Sequence, residues 1–287
     1  MRIILASLIL SVLYTGAALA QIYVANQGSN TVSVLSDNPT VTVDVGGSPT
    51  ALAVTPDGDF VYVTKSEGTV SVIQTSDNTV TDTVDVGVAP EGITVGPEGT
   101  NIYVANSGSN TVNIMCVEDP MCGLVTIDVG ETPVGIASSQ NSTLNLGLIY
   151  VANQGSNTIT IINKPFNEIE ATLDVAASPT GIAATPNGNF IYLTHFNSSM
   201  GGRIDFGTTN GEGWSDESLF PTGDQPTSIA IAPNEGLGDP DPEPMGQSSG
   251  TKNSCSLAAP GASPSFPLYL LIPAFILINR LRRRRTN

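Results

Sequence analysis

The chain has 287 residues, with 10 Lys and Arg against 26 Asp and Glu for a formal net charge of −16. From Gln21 to Thr251 the only cations are Lys65, Lys164 and Arg203, set against all 26 acids, so this stretch carries a net −23 and argues against nucleic acid as a partner. With 29 Gly, 20 Pro and 13% charged residues, the composition also disfavours a helical bundle and calls for short strands joined by many turns.

The chain opens with Met1-Arg2, an apolar run from Ile3 to Leu13, and the small residues Ala18-Leu19-Ala20. This is the pattern of a secretory leader, residues 1–20, with cleavage expected between Ala20 and Gln21. A repeat then begins. Ile22-Tyr23-Val24-Ala25-Asn26 returns as Val61 to Lys65, Ile102 to Asn106, Ile149 to Asn153 and Ile191 to His195. Their tyrosines, Tyr23, Tyr62, Tyr103, Tyr150 and Tyr192, are 39, 41, 47 and 42 residues apart. A second β-branched run follows each of the first four at Thr31 to Val34, Thr69 to Val72, Thr111 to Ile114 and Thr158 to Ile161. A third run follows at Val41 to Val45, Val80 to Val86, Val125 to Val129 and Ala171 to Val175. A Pro-bearing turn and a fourth run, such as Ala51 to Val54 or Gly181 to Ala184, complete the unit.

Four short strands per period of about 42 residues predict an all-β fold, a β-propeller of four-stranded blades. Tyrosine strands such as Ile22 to Ala25 are apolar on both faces, as stacked blades require and as a sandwich with one wet face does not. Five tyrosine strands, and five inner strands ending with Ser228 to Ile231, predict five blades within 21–236. The last inner strand is expected to complete the first blade and so close the ring.

The motifs are specific. Turns of the Pro-Asp-Gly type stand at Pro56-Asp57-Gly58, Pro97-Glu98-Gly99 and Pro186-Asn187-Gly188, with Gly-x-x-Pro turns at Gly46 to Pro49 and Gly130 to Pro133. Together with the tyrosine strands, these resemble the YVTN β-propeller repeat family of archaeal surface-layer and bacterial exported proteins. Members of that family often carry seven blades, so five is a departure. The fifth unit also loses the Val-Asp-Val-Gly strand, leaving Ser218 to Pro221.

Reactive side chains are scarce. The inner strands, taken as Thr50 to Val54, Gly92 to Val95, Val134 to Ala137, Gly181 to Ala184 and Ser228 to Ile231, hold small, apolar and Ser/Thr residues, and His195 is the only histidine. No catalytic residue, cofactor site or metal site is therefore expected. Cys116 and Cys122 read as a disulfide stapling a loop in an exported chain. The turns Asn26 to Asn30, Asn106 to Asn110 and Asn153 to Asn157 allow a rim of amides for sugars or ions through Asn26, Asn30, Asn106, Asn110, Asn153 and Asn157. They also fit plain turn chemistry. Asp44, Asp85, Asp128 and Asp174 recur once per unit, as calcium-seeking oxygens or as strand-end groups.

The chain ends with a Pro, Gly, Ser and acid-rich linker at 237–265, an apolar run at 266–279 and an arginine-rich tail at 280–287. The 14-residue run reaches about 22 uncharged residues when Ala258 to Ser265 are added, enough for a membrane helix, with the arginines holding the tail in the cytoplasm. This end resembles bacterial carboxy-terminal sorting signals, with Cys255 just before the helix as the residue for processing or lipidation by a membrane sorting protease. A plain single-span anchor is the alternative. The sequence is thus read as a non-catalytic propeller outside the cytoplasm, membrane-anchored or displayed on the surface, binding or scaffolding a protein or glycan at the cell envelope. Two alternatives stand beside it. One is an enzyme resembling lactonase-like propellers, which calls for Lys65, Arg203 and His195 around one pocket; the other is a structural surface-layer or adhesive subunit.

Overall fold

A computed structural model describes residues 21–35, 40–117, 123–141, 146–206 and 217–231. The leader, Cys122, the linker with Cys255, the apolar run and the tail lie outside these residues. Among the described residues no helix is long and apolar enough to cross a membrane.

The strands form five antiparallel sheets, each a meander of consecutive strands. The first holds β1 (Ile22–Asn26), β2 (Thr31–Leu35) and β3 (Val41–Asp44). The second holds β4 (Pro49–Val54), β5 (Phe60–Lys65), β6 (Thr69–Gln74) and β7 (Thr79–Asp85). The third holds β8 (Pro90–Val95), β9 (Asn101–Asn106), β10 (Thr111–Cys116) and β11 (Val125–Asp128). The fourth holds β12 (Pro133–Asn141), β13 (Leu146–Asn153), β14 (Thr158–Asn163) and β15 (Glu168–Asp174), and its longer β12–β13 hairpin accounts for the 47-residue tyrosine spacing. The fifth holds β16 (Pro179–Ala184), β17 (Phe190–His195), β18 (Met200–Asp205) and β19 (Ser218–Pro221). The fold is all-β and of the β-propeller kind.

The doubly apolar tyrosine strands do what their composition requires. Val61 and Val63 pack toward the first sheet, while Tyr62 between them packs toward the third. Likewise Tyr103 and Ala105 join the fourth sheet's Ile149 and Val151, and Tyr150 joins the fifth sheet's Ile204 and Phe206. The core is therefore divided into four clusters, one between each pair of successive sheets. Tyr62, Tyr103 and Tyr150 are fully buried within them. The Tyr62 hydroxyl donates to the Val117 carbonyl of the next sheet at 2.6 Å, and the rings of Tyr150 and Phe206 lie 5.4 Å apart.

The Pro-Asp-Gly turns are closed by their own side chains. Asp57 Oδ1 accepts from the Asp59 amide at 3.0 Å, the Phe60 amide donates to Thr55 Oγ1 at 3.1 Å, and Gly58 takes φ +79°. The same bonds recur in the fifth sheet through Thr185, Asn187 and Phe190.

Neighbouring sheets approach most closely where their innermost strands begin. Thr50 Oγ1 donates to the Pro90 carbonyl at 2.7 Å, and Thr180 Oγ1 to the Pro226 carbonyl at 3.1 Å. A Cβ on Gly92 would lie 2.7 Å from the Val134 oxygen, one on Gly135 2.2 Å from the Thr180 oxygen, and one on Gly181 2.8 Å from Ser228 Cα. Residues 226–228 therefore sit beside β16 as each inner strand sits beside its predecessor.

Among the described residues, the ring closure expected from the sequence is not formed. Residues 227–231 adopt no strand, and within the described residues β1 pairs with β2 alone in a sheet of three strands. With no inner strand covering it, β1 keeps Ile22 57% and Val24 42% exposed. Thr227, Ser228 and Ala230 are likewise exposed, so each half of the expected contact lacks the other.

Candidate functional site

In the second to fifth sheets the first residue of the inner strand pairs with the last residue of the next strand: Pro49 with Lys65, Pro90 with Asn106, Pro133 with Asn153 and Pro179 with His195. These ends, the Asn-bearing turns beyond them and the connections between sheets form one rim. It collects most of the polar groups that the sequence singles out.

Five of the six asparagines bond through their side chains to the rim's own structure, and Asn30 serves it through its backbone conformation. Asn30, Asn110 and Asn157 are left-handed, with φ of 60°, 58° and 58°. Asn110 Oδ1 accepts from the Thr132 amide at 2.9 Å and Asn157 Oδ1 from the Ser178 amide at 2.8 Å, each fastening its turn to the connection into the next sheet. Asn26 Nδ2 donates to Thr31 and Ser33, Asn106 Nδ2 to Thr111 and Asn113, and Asn153 Nδ2 to Thr158 and Thr160. Asn106 and Asn153 are fully buried.

Lys65 and His195 occupy the same place in the second and fifth sheets. Lys65 is 5% exposed; its Nζ donates to the Val45 carbonyl at 3.1 Å and stands 3.7 Å from Glu67 Oε1. His195 is fully buried, with Nε2 2.6 Å from Glu217 Oε1, while Glu217 Oε2 accepts from the Ala176 amide at 2.7 Å. Arg203 lies over the Phe190 ring, 5.3 Å from its centre, and pairs across the sheet with Tyr192. Each of the three is thus engaged by its own surroundings, and no contact joins them around one pocket. Lys164, on the turn after β14, is ion-paired with Glu98 of the third sheet, and burial pushes its amine below the ordinary lysine range.

Asp44, Asp85, Asp128 and Asp174 are all exposed at the ends of outermost strands, and Asp44 Oδ1 accepts from the Gly46 amide at 3.0 Å. Among the described residues no three His, Cys, Asp or Glu side chains converge as a metal site would require. Cys116 is disulfide-bonded; its expected partner Cys122 is outside the described residues.

One residue escaped the sequence reading. β8 begins at Pro90, two residues before the start assigned from the repeat, and so includes Glu91. Glu91 is the only titratable side chain on β4, β8, β12 and β16, and it is exposed on the rim beside Pro90. Alignment to the Pro-x-Gly start of the other inner strands, Pro133-Val134-Gly135 and Pro179-Thr180-Gly181, was the signal that would have found it.

Residues 12–140, which include this strand, match the family model described as "Lactonase, 7-bladed beta-propeller". Among solved structures, the chain is similar to Kuenenia stuttgartiensis hydrazine synthase, with a TM-score of 0.60 and 21% identity over 72% of this chain; the similarity spans only 64% of that chain. It is also similar to a putative 6-phosphogluconolactonase from Bacteroides uniformis ATCC 8492, with a TM-score of 0.59 and 16% identity over 74% of this chain and 71% of that one. No curated protein matches the chain. The solved structures establish the propeller fold. The lactonase match corrects the expectation of a non-catalytic binding or scaffolding module, since the family it describes is one of enzymes, and the emptiness of the inner strands on which that expectation rested ends at Glu91.

Proposed function

We propose that the chain is a lactonase-like propeller enzyme that opens a cyclic ester by hydrolysis, with Glu91 as its general base. The observation that carries this reading is an exposed carboxylate on an innermost strand, inside the segment that resembles lactonases. Water held by Glu91 loses its proton to the carboxylate as its oxygen attacks the lactone carbonyl. The ring C–O bond then breaks, the departing alkoxide takes that proton from the Glu91 carboxyl, and a hydroxy acid is released. A positioned carboxylate contributes on the order of 10²–10⁴ in rate to such a step. His195 and Glu217 hold each other at the rim and serve its shape.

The test is hydrolysis of D-glucono-1,5-lactone by the purified chain, followed by pH-stat. The wild type is expected to exceed the spontaneous rate, and Glu91→Gln to lower kcat/KM at least ~100-fold with an unchanged melting temperature. Unaltered activity in Glu91→Gln removes Glu91 from the mechanism. No rate above the spontaneous one on a panel of five- and six-membered lactones removes the lactonase reading.

The leader pattern at 1–20 and the apolar, arginine-terminated end support a second proposal, that the enzyme is exported and held at the membrane or passed to the surface. Intact mass of the protein from its own cells, before and after Cys255→Ala, checks both processing steps.

A further inference from the structure

Resting on the lactonase reading, we infer that the substrate is an uncharged lactone, a neutral polyhydroxylated ring in place of a phosphorylated one. The rim that carries Glu91 is acidic: Glu67, Glu91, Glu131 and Asp224 are exposed on it or on its connections. Recognition of a phosphate ester is strongest where a free cation meets it, and Arg or Lys supplies that contact. Between Gln21 and Thr251 there are three such residues; the two lysines are already bonded, and the one arginine stands on β18 of the fifth sheet, away from the inner strand that carries Glu91. Lys65 is buried against the Val45 carbonyl beside Glu67, Lys164 is ion-paired with Glu98, and Arg203 is laid over the Phe190 ring. A dianionic substrate approaching the exposed Glu67, Glu91, Glu131 and Asp224 of this rim, in a stretch that carries a net −23 over 21–251, is repelled within a Debye length, about 8 Å at physiological salt. A neutral sugar lactone meets no such barrier, and the carboxylates and amide groups of the rim are acceptors and donors suited to its hydroxyls.

The experiment compares D-glucono-1,5-lactone with its 6-phosphate, using the full chain at 20 and 500 mM KCl. The neutral lactone is expected to show at least ~10-fold higher kcat/KM at low salt, unchanged at high salt. The phosphorylated one is expected to gain several-fold at high salt as repulsion is screened. Equal or better use of the phosphorylated lactone at low salt, or loss of its turnover on adding salt, overturns the inference while leaving the lactonase reading standing. Failure of both substrates at both salt concentrations overturns the two together.

Discussion

Replacing Gly135 by Ala tests how the sheets are stacked. Gly135 lies near the start of β12, and a Cβ there would sit 2.2 Å from the Thr180 carbonyl oxygen, 3.2 Å from Ile182 Cγ2 and 3.4 Å from Ala152 Cβ. The first contact is with backbone, which cannot rotate away, and it is well short of the ~3.5 Å of an ordinary contact, so β12 and β16 must part by about 1 Å. Overpacking of this kind costs roughly 1–3 kcal/mol, and the ~0.5–1 kcal/mol gained by replacing a strand glycine offsets only part of it. The middle of these ranges leaves about 1.3 kcal/mol, and at about 2–4 °C per kcal/mol for a domain of this size Gly135→Ala should melt roughly 3–5 °C below the wild type in a calorimetric scan. Gly28→Ala is the control, because its Cβ would meet nothing within 4 Å. If both variants melt within 1 °C of the wild type, the inner strands are not in the close contact described, and the stacking argument fails.

Burial pushes the hydroxyls of Tyr62 and Tyr150 up to about 12, so the neutral forms are favoured by the fold. That stability, up to about 3 kcal/mol for Tyr150 and less for Tyr62, is fully present below pH ~10 and lost between ~10 and ~12. Urea midpoints at pH 8 and 11.5 should fall accordingly, less so in Tyr150→Phe, and a midpoint constant to pH 12 contradicts the burial. The Asp59 amide, followed by the Thr55 hydroxyl, holds the Asp57 carboxyl below the ordinary aspartate range. Its contribution is therefore present above that range and lost on acidification, and Asp57→Ala should destabilise at pH 7 but not at pH 2. A deficit that persists at pH 2 would show that the loss is not one of carboxylate hydrogen bonding.

Strands whose residues face two sheets were legible in the sequence because both of their faces are apolar, as in Val61 to Val63 and Ile149 to Val151. β18 was not legible. Its Met200-Gly201-Gly202-Arg203 lacks the β-branched alternation of β6 or β14, and the strand is held by partners on either side, with Leu193 opposite Gly202 and Leu219 beyond it. Ring closure was inferred by counting strands, but counting carries no register, and no pairing of residues 227–231 with β1 is formed. The candidate base was missed for a related reason. The inner strand as taken from the repeat begins at Gly92, one residue after Glu91, whereas Pro90 is the true first residue, paired with Asn106.

The fifth sheet shows how one rule of the repeat survives the loss of its residue. The third residue after the rim turn that follows each tyrosine strand is Ser33, Ser71, Asn113 or Thr160 in the first four sheets. In each, that side chain meets a polar group at the rim: Asn26 for Ser33, the Val45 carbonyl for Ser71, Asn106 and the Gly87 amide for Asn113, and Asn153 for Thr160. In the fifth sheet the position is Gly202, which can offer nothing. The space is taken by Glu217, whose carboxylate occupies the volume that a Gly202 Cβ would need. From there it meets His195 with one oxygen and the Ala176 amide with the other, the same pair of duties that Asn113 performs in the third sheet. Glu217→Ala would leave His195 buried without this partner at about 1–3 kcal/mol, with a smaller loss at the part-buried Ala176 amide. Supplying the missing side chain with Gly202→Ser in that background should restore part of the loss. If it restores none, the carboxylate is not standing in for the repeat's third-strand hydroxyl.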